Sequence, residues 1–181
     1  MLAAPTAAME RVGFVGLGAM GAPMAWNLEE AGYELGVYNR TPARMEPFAD
    51  AGVTTYDSPA ALADESDAVV TMVTGPEAVR EVVLGDAGVV EGLRDDAVVV
   101  DTSTVSPEAT DDVAKGVQAA GGRFVDAPVL GTVGPAEQGE LLVLAGARGL
   151  GAPLLLGGLD ALGVQVVVEV LRGVAPLQER L

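Results

Sequence analysis

Short apolar runs alternate along the chain with longer segments in which apolar residues recur every three or four positions. The first pattern is typical of buried β-strands and the second of amphipathic helices, and their alternation predicts an α/β fold with a mostly parallel sheet. Strands are predicted at residues 12–15, 34–38, 53–56, 67–73, 97–101, 123–126 and 141–145. Helices are predicted at residues 19–31, 42–51, 59–65, 76–83 and from 107 onward. Ser58-Pro59 and Ser106-Pro107 each supply an N-cap and an N1 proline for a helix start.

The first predicted strand leads directly into a segment with the G-x-G-x-x-G spacing, which also opens a predicted helix. In such a segment the first glycine permits a tight turn, the second lets backbone approach a pyrophosphate, and the third lets the helix pack on the strand. The N–H groups of the helix N-terminus then face the phosphates. The segment predicts a dinucleotide site, although the spacing alone also fits an ordinary glycine-rich turn. The residues expected to hold the pyrophosphate are Gly16, Leu17, Gly18, Ala19, Met20 and Gly21.

The end of the second predicted strand bears on the choice between the two nicotinamide cofactors. Sites that prefer NAD usually place an acid there, which accepts hydrogen bonds from the ribose 2′-hydroxyl. This chain instead has Asn39, Arg40 and Thr41. A guanidinium suits a 2′-phosphate, and the two neighbours can add hydrogen bonds. NADP(H) is therefore the expected cofactor and NAD(H) a possible one, unless Arg40 is simply a solvated surface residue.

Composition excludes several classes of function. The chain has no cysteine and no histidine, so disulfides, Ser-His-Asp triads and the usual zinc sites are excluded, and no metal site is expected. The net charge of −16 argues against binding to nucleic acid or anionic membranes. No apolar run reaches the length of a membrane span, and the N-terminus does not resemble a signal peptide, so a cytoplasmic protein is expected. An acidic, lysine-poor chain fits either a halophilic source or a GC-rich genome.

Charge is distributed unevenly along the sequence. Residues 141–181 carry as many basic as acidic side chains, so the whole net charge of −16 lies before them. The composition shift near residue 146 predicts a NAD(P)-binding Rossmann domain at 1–146 and a divergent tail at 147–181. That tail is predicted to contain a helix at 153–162 and a strand at 164–170. It is either the end of the Rossmann domain or a truncated or frameshifted segment.

Four motifs together resemble the β-hydroxyacid dehydrogenase family, which includes 3-hydroxyisobutyrate dehydrogenase and has an NAD(P)-binding domain of the 6-phosphogluconate dehydrogenase type. The resemblance covers about residues 11–146 and implies a Rossmann-like, doubly wound sheet. The motifs keep the family's order and approximate spacing. They are Gly13-Phe-Val-Gly-Leu-Gly-Ala-Met-Gly21-Ala-Pro-Met24, Val37-Tyr-Asn-Arg-Thr41, Asp101-Thr-Ser-Thr-Val-Ser-Pro107 and Asp126-Ala-Pro-Val-Leu-Gly-Thr-Val-Gly-Pro-Ala-Glu137.

The resemblance also implies further site residues. Three residues at the C-terminal end of the predicted strand at 67–73 would line the cofactor cleft. Two residues of the third motif would lie near the nicotinamide, and the fourth motif would bind a substrate carboxylate. Many relatives have Ser-Gly-Gly in the fourth motif, where this chain has Leu130-Gly-Thr, so the substrate itself is not specified. The cofactor residues implied are Met72, Val73, Thr74, Ser103 and Thr104, and the substrate residues are Ser103, Gly131 and Thr132.

The family's catalytic lysine lies on a helix that follows the Rossmann domain, and an asparagine lies one turn later. Residues 147–181 contain neither, and Lys115 lies outside the matching motifs, so no catalytic residue is identified and the family's C-terminal all-α domain is predicted to be missing. The family function would be NADP-dependent interconversion of a small 3-hydroxy acid and its semialdehyde or keto acid. The alternatives are a catalytically inactive NADP(H)-binding module or truncated remnant, and a domain for another adenine ligand such as S-adenosylmethionine. Expected partners are a small carboxylate-bearing substrate and either a second copy of the chain or the missing α-domain.

Overall fold

The structure is a computed structural model that describes residues 11–95 and 97–144. Its central sheet has six parallel strands, in the spatial order third, second, first, fourth, fifth, sixth. In chain order these are β1 (Arg11–Val15), β2 (Glu34–Tyr38), β3 (Thr54–Thr55), β4 (Ala68–Thr71), β5 (Val98–Asp101) and β6 (Arg123–Asp126). The order reverses between β1 and β4, whose carboxyl ends lie side by side because Val15 pairs with Thr71. Open α/β sheets bind ligands at such a switch point.

Seven α-helices are described, and they pack on both faces of the sheet. In chain order they are α1 (Gly21–Glu30), α2 (Glu46–Asp50), α3 (Pro59–Asp64), α4 (Pro76–Leu84), α5 (Val89–Gly92), α6 (Pro107–Ala119) and α7 (Val133–Glu137). Both predicted caps are present, since the hydroxyl oxygen of Ser58 accepts from the Ala61 N–H at 3.1 Å and that of Ser106 from the Ala109 N–H at 3.4 Å. The parallel six-stranded sheet with helices on both faces confirms the predicted Rossmann-like doubly wound fold.

The two faces of the sheet bury separate apolar clusters, because successive side chains of a strand point to opposite faces. On one face Phe14 and Val100 pack with residues of α1, α2 and α7. On the other face Val69 and Val99 pack with residues of α3, α4, α5 and α6. Each fully buried aliphatic or aromatic side chain contributes about 1.5–3 kcal/mol, which fixes the helices and so the loops that follow the strands.

Several element boundaries differ from the sequence prediction. The helix predicted at 42–51 is split into a 3₁₀ turn at Pro42–Arg44 and the short α2, because Pro47 cannot occupy a helix interior but fits the first turn of a new helix. The strand predicted at 53–56 is reduced to the two exposed residues of β3. Helix α5 was not predicted. The helix and strand predicted at 153–162 and 164–170 lie outside the described residues.

A second, two-stranded antiparallel sheet follows β6. The strand predicted at 141–145 is observed as β8 (Leu142–Val143), and it pairs with β7 (Val129–Leu130) rather than extending the central sheet. The short α7 connects the two strands and was not predicted. Within the described part of the chain, the large exposed apolar side chains all lie on or next to these elements: Leu130, Val133, Leu142 and Leu144. No helix of the described residues is long and apolar enough to cross a bilayer.

Candidate dinucleotide-binding site

A cleft opens at the carboxyl ends of β1, β2 and β4, where the strand order reverses. Eight of the residues predicted from the sequence line it, contributed by the glycine-rich loop, by the tip of β2 and by the segment after β4. They are Gly16, Gly18, Asn39, Arg40, Thr41, Met72, Val73 and Thr74. The fold thus brings together three segments that are separated by more than twenty residues in the chain.

The three glycines of the loop have the environments that the motif requires. Gly16 has φ of +102°, and a Cβ there would collide with the carbonyl oxygen of Met72. A Cβ on Gly21 would collide with the carbonyl oxygen of Gly16, so the third glycine lets α1 start directly against the turn. Around Gly18 the space is open, and the atom nearest to a Cβ at this position would be the Arg44 guanidinium nitrogen Nη1, at 3.7 Å. A flat, open backbone at the second glycine is the cradle that a pyrophosphate needs.

The backbone N–H groups of the loop divide into two sets. Gly16 donates to the Tyr38 carbonyl oxygen at 3.0 Å and Leu17 to the Asn39 side-chain oxygen at 2.9 Å, so these two anchor the loop to β2. The N–H groups of Gly18, Ala19 and Met20 donate to no other described residue. These groups lie at the N-terminus of the ten-residue α1, where the helix dipole favours a negative charge.

Asn39 is positioned to hold the site together. Its side-chain oxygen accepts from Leu17, and its amide nitrogen donates to the Thr41 carbonyl oxygen at 3.0 Å. The side chain therefore links the glycine-rich loop to the turn after β2. Asn39 also lines the cleft, and the predicted hydrogen bond between its side chain and the adenosine end of a cofactor stays a prediction.

The end of the cleft next to the tip of β2 holds two arginines. Arg40 follows the tip of β2 and is highly exposed, with 81% of its side chain accessible, and its Nη1 lies 3.6 Å from the Glu81 carboxylate on α4. Arg44 lies in the 3₁₀ turn, lines the cleft, and donates from Nη1 to the Leu17 carbonyl oxygen at 3.0 Å. Sequence reasoning missed Arg44 and Glu81. The close repetition of arginine after β2 was a signal for the first of them, but nothing local in the sequence marks the second.

Apolar side chains also line the cleft and form one wall of it. Met72 and Val73 follow β4, and Ala78 and Val82 face the cleft from α4 at the four-residue spacing of one helix face. A flat aromatic ring such as adenine can pack against side chains of this kind.

The remaining predicted residues do not line the cleft. Leu17 and Gly21 are buried beneath the loop, Ala19 and Met20 lie at the start of α1, and Ser103 is buried behind the wall. Thr104 is exposed in the loop after β5, and Gly131 and Thr132 are exposed just before α7. The assignment of the loop residues to the pyrophosphate, and of the other four residues to nicotinamide or substrate, stays a prediction.

Comparison with known proteins agrees with this geometry. Residues 11–168 match the family model described as the NAD binding domain of 6-phosphogluconate dehydrogenase. The chain belongs to this family.

The relatives of this NAD-binding domain confirm the resemblance to β-hydroxyacid dehydrogenases. The chain is 35% identical to 3-sulfolactaldehyde reductase of Escherichia coli over 170 residues, which cover 87% of this chain and 57% of that protein. It is 38% identical to human mitochondrial 3-hydroxyisobutyrate dehydrogenase over 135 residues, which cover 75% of this chain and 40% of that protein. The structure of Mycobacterium tuberculosis 3-hydroxyisobutyrate dehydrogenase with L-serine superposes with a TM-score of 0.79 at 28% identity, covering 93% of this chain and 53% of that one. The chain thus spans about half the length of these relatives.

Behind the cleft wall of this NAD-binding domain lies a buried carboxyl group that sequence reasoning did not single out. Asp101, the last residue of β5, is fully buried, and its Oδ1 accepts from the Thr71 hydroxyl at 2.8 Å and from the Ser103 N–H at 3.1 Å. Its Oδ2 has no partner among the described residues. Burial raises the pKa of the Asp101 carboxyl above its ordinary value, despite hydrogen bonds from Ser103 and Thr71 that lower it. An acid ending an otherwise apolar strand was the available signal in the sequence.

Hydrogen bonds around Asp101 connect the loops after β4 and β5. The Ser103 hydroxyl oxygen accepts from the Val73 N–H at 3.0 Å, and the Thr102 hydroxyl donates to the Thr71 carbonyl oxygen at 2.7 Å. Val73 forms part of the cofactor cleft, so the position of the cleft wall depends on this buried cluster.

The loop at Gly131 and Thr132, which is predicted to bind substrate, is held near α1 by a hydrogen bond between α1 and α7. The Asn27 side chain of α1 donates to the carbonyl oxygen of Ala136 in α7 at 2.8 Å, across a sequence separation of 109 residues. Because Gly131 and Thr132 immediately precede α7, this bond sets their position relative to the N-terminus of α1.

Proposed function

We propose that this chain is the NADP(H)-binding part of an oxidoreductase of the β-hydroxyacid dehydrogenase type. The reaction proposed is the interconversion of a small 3-hydroxy acid and its semialdehyde or keto acid. Support for the class of reaction comes from the family match and from relatives named as 3-sulfolactaldehyde reductase and 3-hydroxyisobutyrate dehydrogenase.

The observation that supports NADP(H) over NAD(H) is the arginine at the tip of β2. Arg40 occupies the end of the cleft where NAD-preferring sites place an acid, and Arg44 and Thr41 lie beside it. A phosphate on the ribose 2′ position would meet two guanidinium groups there, and charged hydrogen bonds of this kind are stronger than neutral ones. The unlinked N–H groups of Gly18, Ala19 and Met20 would receive the pyrophosphate.

The bound nicotinamide cofactor supplies the hydride chemistry, and the protein contributes binding, orientation and proton transfer. In our proposal the Ser103–Asp101 cluster keeps the wall of the cleft in place, while the backbone at Gly131 and the Thr132 hydroxyl receive a substrate carboxylate. The family resemblance assigns proton transfer at the substrate oxygen to a lysine. Lys115, the one lysine among the described residues, is exposed on α6 and does not line the cleft, so it does not take that role.

The cofactor proposal is tested by titrating the full 181-residue chain with NADPH and with NADH. Trp26, the single tryptophan, lies on α1 and stacks on Phe48 with ring centroids 4.1 Å apart, so energy transfer from it to the reduced nicotinamide reports binding. Wild-type protein should bind NADPH more tightly than NADH. Arg40→Asp should weaken NADPH by about 10- to 100-fold, the value of a charged hydrogen bond, and should change NADH by less than about threefold.

The matched control is Arg80→Asp, because Arg80 pairs with Asp112 at 2.8 Å outside the cleft and the change in net charge is the same. It should leave the preference between the cofactors unaltered. Equal losses of NADPH and NADH affinity in Arg40→Asp, or the same loss in Arg80→Asp, would refute the assignment of Arg40 to the 2′-phosphate. A folded wild-type chain that binds neither cofactor would refute the proposed function of this domain.

A further inference from the structure

The one ion pair among the described residues that lies within the cleft joins Arg40 to Glu81. Their closest atoms, Nη1 of Arg40 and Oε2 of Glu81, are 3.6 Å apart, and the two side chains are 81% and 64% exposed. Arg40 comes from the turn after β2, whereas Glu81 comes from the middle of α4, forty-one positions later. A carboxylate on a different element therefore faces the guanidinium proposed to receive the 2′-phosphate.

The charges lining the cleft are balanced. Arg40 and Arg44 are its basic residues, and Glu81 and Asp86 are its acidic ones. Arg44 already donates to the Leu17 carbonyl oxygen, which directs one of its nitrogens toward the glycine-rich loop. Arg40, in contrast, has Glu81 as its charged neighbour, so the net potential that a dianionic phosphate would meet depends on whether that carboxylate is present.

We propose that Glu81 is a specificity-determining residue that limits the preference of this domain for NADP(H) over NAD(H). This inference rests on the proposed function, since it assumes that Arg40 receives the 2′-phosphate. Before Arg40 can bind the phosphate fully, it must release or share the carboxylate, and the carboxylate also repels the phosphate directly. NADH carries no 2′-phosphate and is unaffected by either effect.

The exposure of the two side chains limits how much Glu81 can weaken NADPH binding. Both side chains are exposed, so water and salt screen the interaction and the ion pair itself is weak. The 2′-phosphate carries up to two negative charges, however, so removing one carboxylate charge a few ångströms away should tighten NADPH binding by about three- to tenfold at low ionic strength. The gain should shrink as salt rises, because its origin is electrostatic.

The test is Glu81→Gln, which keeps the size of the side chain and removes its charge. The matched control is Glu77→Gln, on the same helix one turn earlier, which removes the same charge from an exposed position that does not line the cleft. The dissociation constants of NADPH and NADH for the full chain are measured for wild type and both variants, at low and at molar KCl.

The expected result is that Glu81→Gln binds NADPH about three- to tenfold more tightly at low salt while its NADH affinity changes little, and that Glu77→Gln matches wild type. Three results would overturn the inference while leaving NADP(H) binding intact: unchanged or weaker NADPH binding by Glu81→Gln, equal tightening of both cofactors, or the same gain in Glu77→Gln. Weaker binding would mean that Glu81 instead holds Arg40 in place for the phosphate. Failure of the wild type to bind NADPH would overturn the proposed function and this inference with it.

Discussion

Replacing Asp101 by asparagine perturbs the most deeply buried carboxyl group described in this domain. The substitution keeps an oxygen that can accept from the Thr71 hydroxyl and the Ser103 N–H, and it removes a charge that has no counter-ion in contact with it. Stability measured against pH separates these two effects, because only the charge depends on pH.

The direction in which stability changes with pH follows from the linkage between protonation and folding. Burial raises the pKa of Asp101 in the folded state, while in the unfolded chain the group titrates near its ordinary value of about 3.9. A raised folded-state pKa gives stability that is fully present below the unfolded pKa and is lost as pH rises through the folded pKa. Wild type should therefore lose free energy of unfolding relative to Asp101→Asn as pH rises above about 4, and the difference should level off above the folded-state pKa. Each pKa unit of the shift is worth about 1.4 kcal/mol.

The substitution also changes the free energy of unfolding by an amount that does not depend on pH. The new amide nitrogen occupies the position of Oδ2, which has no partner among the described residues, so it leaves two N–H groups unsatisfied where the protonated carboxyl leaves one O–H. Each unsatisfied buried donor costs about 1–3 kcal/mol. Asp101→Asn should thus be less stable than wild type in acid. The deficit should shrink, or reverse, toward neutral pH.

The assay is urea unfolding at a series of pH values between about 3 and about 8. Asp57→Asn, which removes one carboxylate from an exposed loop, controls for the loss of a single charge. A difference between wild type and Asp101→Asn that does not vary across this range would refute a raised pKa for Asp101. A difference that varies in the opposite direction would show that the hydrogen bonds outweigh burial.

Three further variants, one of them a control, test the packing that positions the site. Gly21→Ala should lower stability by about 1–3 kcal/mol and weaken NADPH binding, because the new Cβ collides with the Gly16 carbonyl oxygen. The control is Gly134→Ala, whose Cβ would have no atom within 4 Å, so its stability should be unchanged or higher. Urea unfolding measures the stability of the two glycine variants, and titration measures their NADPH affinity. Equal stability and affinity in both variants would contradict the close contact between α1 and the turn at Gly16. Asn27→Ala should cost about 1 kcal/mol in the same urea unfolding by leaving the Ala136 carbonyl oxygen unpaired, while NADPH affinity stays unchanged. An unchanged unfolding curve would show that this bond does not stabilise α7.

Sequence patterns were most reliable where the physical cause is local. The β-branched runs of β1, β4 and β5, the caps at Ser58 and Ser106 and the glycine spacing at Gly16 all depend on neighbours within a few positions. Prediction failed at short elements, whose stability comes from tertiary contacts. Helix α5 has four residues and β3 has two, lengths at which intrinsic propensity does not decide the structure.

Eight of the predicted site residues line the cleft, while their roles in binding stay predictions. Residues adjacent to strand ends fall at the cleft because all carboxyl ends of a parallel sheet share one edge, which is why Arg40 and Val73 were found. Ser103 also follows a strand end, but its hydroxyl turns inward to accept from Val73, and no sequence pattern specifies that rotamer. Glu81 was missed because a carboxylate in the middle of an amphipathic helix resembles any other solvated acid.

By itself, the sequence determined the class of fold, the dinucleotide loop and the family, because these follow from periodicity, glycine positions and the order of four short motifs. Only the tertiary structure decided which charges meet in the cleft. It placed Glu81 against Arg40, buried Asp101 between Thr71 and Ser103, and joined Asn27 to Ala136. Apart from the bond between Asp101 and Ser103, which are close in sequence, these contacts link residues from 30 to 109 positions apart. Their geometry depends on how whole helices pack on the sheet, so no local pattern in the chain encodes them.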